Sequence, residues 1–416
     1  MKKVYIYALA YALTAVSCQD NEWGADSATP QAPEIEIPMG AADGELLIKF
    51  VPEMSDILDQ TLTRVGGVAT RSGIPSTDEV LNILGAYHFE RVFPVDPKTE
   101  KRTREAGMHL WYIVRFDKDA DLKEAARQLR KLGEISKIQS NPTLQRAYDP
   151  KKKTLYLSAS DLQHVTRTSE GLTFNDPGLK HQWHYRNAGN YDFVKKDRAE
   201  AIAGADVNCG EAWELCKGDP SIIVAVLDEG VMWSHPDLIA NMWTNEAEEI
   251  GSTEDKDGNG YKGDRYGYNF VKNTGVISWT SADDTGHGTH VAGTIAAENG
   301  NSIGVSGIAG GDGNTGSGVK IMTCQLFDGQ YGATLAAEAK AIKYAADNGA
   351  VVLQCSWGYN SPDANEALGY VPGPKNEQDW ENQYPLEKEA LDYFIHNAGS
   401  PNGVIDGGLA LSLIHI

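Results

Sequence analysis

The residues best placed to do chemistry are an aspartate and a histidine, Asp228 and His287. Asp228 closes the nearly continuous apolar run Ser221 to Leu227, rich in β-branched residues. That is the pattern of a parallel strand covered on both faces. Open α/β sheets gather functional groups at the carboxyl ends of such strands. A carboxylate buried there is costly unless it is paired, so a partner is expected. The candidate is His287, in Gly286-His287-Gly288-Thr289-His290-Val291-Ala292-Gly293. The small residues let a following helix pack closely on the sheet and leave His287 at its start. A paired carboxylate and imidazole point to acid–base chemistry. His290 gives an HxxH spacing, but a zinc site needs a third ligand that the motif lacks.

Together these segments resemble the Asp and His signatures of the subtilisin-like serine proteases (subtilases), in that family's chain order Asp, His, Ser. The resemblance covers roughly 175–410 and includes the stretch from Asp228 to Asp237-Leu238, with Glu229 where Ser or Thr is more usual. It implies that Asp228 accepts a hydrogen bond from Nδ1–H of His287 and fixes its tautomer. His287 would then act through Nε2, first as general base toward a serine hydroxyl, then as general acid toward the leaving amine. The strand-like Val352-Leu353-Gln354-Cys355 and the following Ser356-Trp357-Gly358 resemble the strand end that pairs with the substrate backbone and walls its first specificity pocket. Backbone pairing gives affinity with little sequence preference.

The family's nucleophile sits in a Gly-Thr-Ser-x-Ala-x-Pro turn, and the sequence contains none. Gly399-Ser400-Pro401 is no substitute, because no helix-forming run follows it, and residues 411–416 do not continue the family's pattern. A dyad without nucleophile or oxyanion donor loses covalent catalysis and its electrostatic support. The expectation is therefore a C-terminally truncated, inactive fragment of an endopeptidase that hydrolyses extended polypeptides through an Asp-His-Ser triad. The alternative is a peptide-binding pseudoprotease or a regulatory surface lipoprotein without catalysis.

Two loops have the composition of calcium sites. Asp255, Asp257 and Asn259 alternate as in the first half of an EF-type loop, with Gly260 at the sharp turn. Tyr266 stands where the bidentate Glu belongs, so it is no EF-hand, but Asp264 could complete a different cage. Separately, Asn301-Ser302-Ile303-Gly304-Val305 resembles the family's main calcium loop, acting with Asp237.

The elements that must position these residues read as an α/β fold, a subtilisin-like parallel sheet with helices on both faces, over 175–410. Ahead of it, 44–148 reads as a small α+β, ferredoxin-like domain. Its strands are expected near 45–51, 88–93, 109–116 and 134–139, with one helix capped by Ser76 and another near 122–132. The order β-α-β-β-α-β is also that of the family's inhibitory propeptide, whose last stretch, here about Ser140 to Tyr148, would lie in the substrate cleft as an intramolecular inhibitor. Residues 149–174 read as a processing linker with Lys151, Lys152, Lys153 and Arg167 as cleavage points.

The first 18 residues are a targeting segment. Lys2 and Lys3 precede a short apolar stretch, and Ala15-Val16-Ser17-Cys18 resembles a bacterial lipoprotein signal with Cys18 acylated. Residues 19–43, rich in Ala, Pro, Asp and Glu, read as a tether. These features predict an extracytoplasmic protein, lipid-anchored to the bacterial cell envelope or secreted. Cys209 and Cys216 could pair outside the cytoplasm, while Cys324 and Cys355 lie in apolar runs as buried thiols. A net charge of −21, from 37 basic and 58 acidic residues, argues against a nucleic-acid partner.

Overall fold

The computed structural model describes residues 41–65, 68–69, 71–86, 88–146, 174–189, 202–361, 363, 372–401, 403 and 405–412. These all fall in one unit, 35–416. The signal with Cys18, the tether through residue 40, the linker through residue 173 and the tail from residue 413 lie outside the described residues. Among the described residues, no helix is long and apolar enough to cross a membrane.

Five N-terminal strands build an antiparallel sheet: β1 (Ala41–Phe50), β2 (Val68–Ala69), β3 (His88–Arg91), β4 (Trp111–Arg115) and β5 (Ile135–Pro142), in the order β2-β3-β4-β1-β5. Successive side chains of a strand point to opposite faces, and β1 shows what that does here. Leu46, Ile48 and Phe50 join a core with Leu58, Leu81, Leu122, Ala126 and Leu129 from the helices of the same domain. Leu47 faces the other way, into a core with Trp111, Ile113, Ala339, Ile342, Leu386 and Ala390. Both faces of the sheet are therefore covered, one by its own helices and one by helices from the second half of the chain.

Local chemistry moved one boundary. The second helix runs Pro75–Ile83 with Ile74 at the cap position, not Ser76. Proline at the first helical position has its φ already set and no N–H to leave unpaired. Ser76 and Thr77 hydroxyls donate instead to Glu134. The helix Ser55–Val65 was not foreseen.

The second sheet holds parallel strands β6 (Ile223–Glu229), β7 (Gly267–Asn269), β8 (Lys320–Asp328), β10 (Ala350–Cys355) and β11 (Leu409–Ser412), in the order β11-β10-β6-β8-β7. The short β9 (Tyr331–Gly332) pairs antiparallel with the end of β8. All residues of β6 are buried. Ala225 and Leu227 face helices Leu335–Asp347 and Pro385–Asn397, while Val224 and Val226 face helix His287–Ala296. This two-sided burial is why β6 reads as an unbroken apolar run.

Among the described residues the cysteines, Cys209, Cys216, Cys324 and Cys355, are free. Cys209 opens helix Cys209–Leu215 and is buried beside Tyr185 and Trp213, while Cys216 is exposed at the helix's end. Two helical turns set their Cα atoms roughly 10 Å apart, beyond what a disulfide spans. The suggested Cys209–Cys216 pairing is thus corrected. Cys324 and Cys355 are buried thiols, pushed far above the ordinary thiol range by burial.

Candidate active site

Asp228 lies at the carboxyl end of β6, only 1% exposed. Its Oδ1 accepts the backbone N–H of Glu229 at 2.6 Å. His287, the first residue of helix His287–Ala296, sets Nδ1 at 2.8 and 2.9 Å from the two carboxylate oxygens. Burial, the largest influence, raises the Asp228 carboxyl above its ordinary range, opposed by the hydrogen bond and charge of His287.

Two glycines make this approach possible. Gly286, at the cap position, has φ 77°, a conformation that costs glycine little. At Gly288 a Cβ would lie 2.2 Å from the carbonyl oxygen of Glu229, so only glycine lets the helix start this close to the strand.

Glu229 is equally buried. Its carboxylate accepts from the N–H of Thr285 at 3.0 Å, the N–H of His287 at 3.1 Å and the Thr285 hydroxyl. It thus supplies acceptors to the start of the histidine's helix, where a negative charge is favoured. A register shift between β6 and β8 at Asp228 and Glu229 lets these neighbouring side chains serve the same helix start.

Near the dyad, the end of the N-terminal antiparallel unit runs between two chain edges of the second half. Thr143 bridges antiparallel to Thr334 and Arg146 to Trp357, and the Leu144 N–H donates to Ala333 O at 2.9 Å. Segment 143–146 is thus an extended strand held between two chain edges. Trp357 is fixed from below by its indole N–H, which donates to Leu227 O at 3.1 Å. Ser356 is half-buried and Gly358 is exposed at the same edge. Arg146 sets Nη2 3.2 Å from Glu229 Oε1.

A family model described as "Subtilase family" matches residues 219–399, the stretch holding Asp228, His287 and Ser356-Trp357-Gly358. Residues 219–399 are a subtilase-family domain. It is 31% identical over 196 residues to "Subtilisin-like protease 1" of Plasmodium vivax, covering 47% of this chain and 27% of that one. It is 31% identical over 159 residues to the "Halolysin-like extracellular serine protease Nep" of Natrialba magadii, covering 38% and 25%. The chain thus spans about a quarter of the length of these relatives. Among solved structures, fervidolysin from Fervidobacterium pennivorans aligns with a TM-score of 0.45 and 18% identity, over 92% of this chain and 43% of that one.

The acidic loop of this subtilase-family domain brings together a set that differs from the one read in the sequence. Carboxylate oxygens of Glu248, Asp255 and Asp257 lie within 4.8 Å of one another. Asp264 stands apart, fully buried, accepting from Asn245 at 2.9 Å, Asn259 at 3.0 Å and the Tyr344 hydroxyl at 2.8 Å. Burial pushes its carboxyl up to about 6. Asn259 turns its amide nitrogen to Asp264 and its Oδ1 to the N–H of Tyr261. Glu248, which holds the N–H groups of Asp257 and Gly263, had no motif to mark it. At the second loop, Asp237 accepts from Asn301 Nδ2 at 2.8 Å and from the Val305 N–H at 2.9 Å, so 301–305 wraps the carboxylate.

Proposed function

We propose that this chain carries the acid–base half of a serine endopeptidase acting on extended polypeptides, held under its own N-terminal domain as an intramolecular inhibitor. The observation that carries the reading is the Asp228–His287 contact through Nδ1. With Nδ1 committed to the carboxylate, Nε2 is the proton-transfer nitrogen. It would take the proton of a serine hydroxyl as that oxygen attacks the peptide carbonyl, and return it to the leaving amine. Asp228 would hold the ring and stabilise the imidazolium. The antiparallel contacts of 143–146 with Thr334 and Trp357 support the cleft as the seat of a peptide backbone, and their occupation supports inhibition.

The 416 residues contain no Gly-Thr-Ser turn, so the chain alone is expected to hydrolyse nothing. The native protein, recovered from its source, should be labelled by a fluorophosphonate, and His287→Ala should abolish the labelling. Native protein that resists the reagent while still binding peptides would replace this reading with that of a pseudoprotease.

The same reading places the protein outside the cytoplasm, with Cys18 as a lipid anchor. It is supported by the targeting segment and by an extracellular relative. Calcium is the fitting structural cation. Glu248, Asp255 and Asp257 offer hard oxygen donors at one loop, with Asp237 and Asn301 at the other. The ion would neutralise clustered carboxylates and tie the loops down. Calcium at a hundredfold excess over its Kd should stabilise the chain by about 2.7 kcal/mol, read as a rise in Tm that Asp255→Asn diminishes.

A further inference from the structure

Glu229 is a buried carboxylate beside the dyad, and the cleft brings a cation to it. Arg146 and Glu229 side chains are 8% and 1% exposed, with Nη2 3.2 Å from Oε1. The guanidinium also donates to the carbonyl oxygens of Gly329 and, at 3.4 Å, Asp283, and lies 5.5 Å from the centre of the Phe327 ring. A carboxylate, two carbonyl oxygens and an aromatic face suit a planar group with five donors and a delocalised charge. Asp284 adds to the negative field. It accepts from the N–H groups of Gly329 and Ser281 at 2.7 Å. Its carboxyl is raised chiefly by burial, and also by the charges of Glu229 and Asp328.

Arg146 reaches this place because its backbone faces Trp357 in antiparallel pairing. Any extended peptide replacing segment 143–146 in the same register presents one side chain to the same carboxylate. We propose that the cleft contains, next to the dyad, a subsite anchored by Glu229 that selects arginine or lysine at the peptide position facing Trp357, and that Arg146 is its built-in occupant. The substrate class is therefore a polypeptide with a basic residue at that position. This rests on the cleft reading above. A neutral side chain would leave the buried Glu229 charge without its cation, and an acidic one would oppose it.

The test uses the full chain carrying Arg146→Ala, which vacates the pocket, and fluorescein-labelled peptides of the Thr-Leu-Gln-Xaa-Ala pattern with Xaa as Arg, Lys, Met or Glu. By anisotropy the Arg peptide should bind on the order of tenfold to a hundredfold more tightly than the Met peptide. Lys should fall between, and Glu229→Gln should remove the preference. Equal affinities for Arg and Met overturn the subsite while leaving the cleft reading intact.

Amide exchange on the unsubstituted chain separates the other failure. A Leu144 N–H that exchanges as fast as in a free peptide overturns the cleft reading and the subsite with it. Where peptide affinities are too low to rank, Arg146→Met and Glu229→Gln should each speed Leu144 exchange on the order of tenfold, and together no more than either alone. Additive effects overturn the pairing.

Discussion

At the residue scale, the dyad depends as much on what is missing as on what is present. A methyl group at Gly288 would overlap the Glu229 carbonyl at 2.2 Å, and both partners are backbone, so neither can rotate away. Gly288→Ala is expected to destabilise the chain by about 1–3 kcal/mol, seen as a lower Tm, and to lengthen the His287–Asp228 contact. An unchanged Tm would show that the helix start has slack that the geometry denies. Asp228, His287 and their flanking glycines were legible in the sequence because chemistry and backbone sterics constrain the same few positions. Glu229 was legible only as an unusual charge beside the dyad. Its duty toward the helix start depends on Thr285 and His287, 56 and 58 positions away, and its duty toward Arg146 on the N-terminal domain, and no local pattern encodes either.

At the element scale, β5 ties the two halves together through polar residues. Gln139 Oε1 accepts the Leu386 N–H at 2.9 Å, and Asn141 Oδ1 accepts the Ala336 N–H at 2.9 Å. These are first-turn donors of helices Pro385–Asn397 and Leu335–Asp347, which have no partner within the helix itself. The N-terminal strand therefore caps two distant helices from outside, and Gln139 and Asn141 are buried in doing so. Gln139→Ala and Asn141→Ala should each cost about 1 kcal/mol and speed amide exchange in the first turn of the corresponding helix only. Equal acceleration in both helices from either substitution would point to general loosening instead. The strand near 134–139 and the unbroken apolar run of β6 were readable in the sequence, whereas helices Ser55–Val65 and Pro385–Asn397 were not. The capping was not, because a buried amide in a strand looks like a misplaced polar residue until the helix start it serves is known.

At the scale of the whole molecule, the N-terminal sheet is the middle layer between two cores, and the helices supporting its second face carry an electrostatic burden. Lys49 and Lys137 reach Glu389 at 2.8 and 3.0 Å, and the Trp111 indole N–H donates to the same carboxylate at 2.7 Å. Arg102 pairs with Asp347 at 2.7 Å. Those contacts satisfy charges at the seam. Deeper, Glu338 on helix Leu335–Asp347 is fully buried, and Glu387 on helix Pro385–Asn397 is its acidic neighbour. Burial first, then the Glu387 charge, raises the Glu338 carboxyl well above its ordinary range. A carboxyl raised in the folded state is neutral in both states at low pH. As pH rises past the unfolded value of 4.5 the unfolded chain ionises first, and stability is lost until the folded group ionises too. Glu338→Gln removes that loss. Its Tm should therefore fall less than the parent's between pH 4.5 and 8, with the two curves closest at the acid end. Because both helices also form one wall of the N-terminal sheet, the gain should appear as slower amide exchange in β1 and β4 as well as in the helices. A gain confined to the helices would mean that the two halves of the chain open independently.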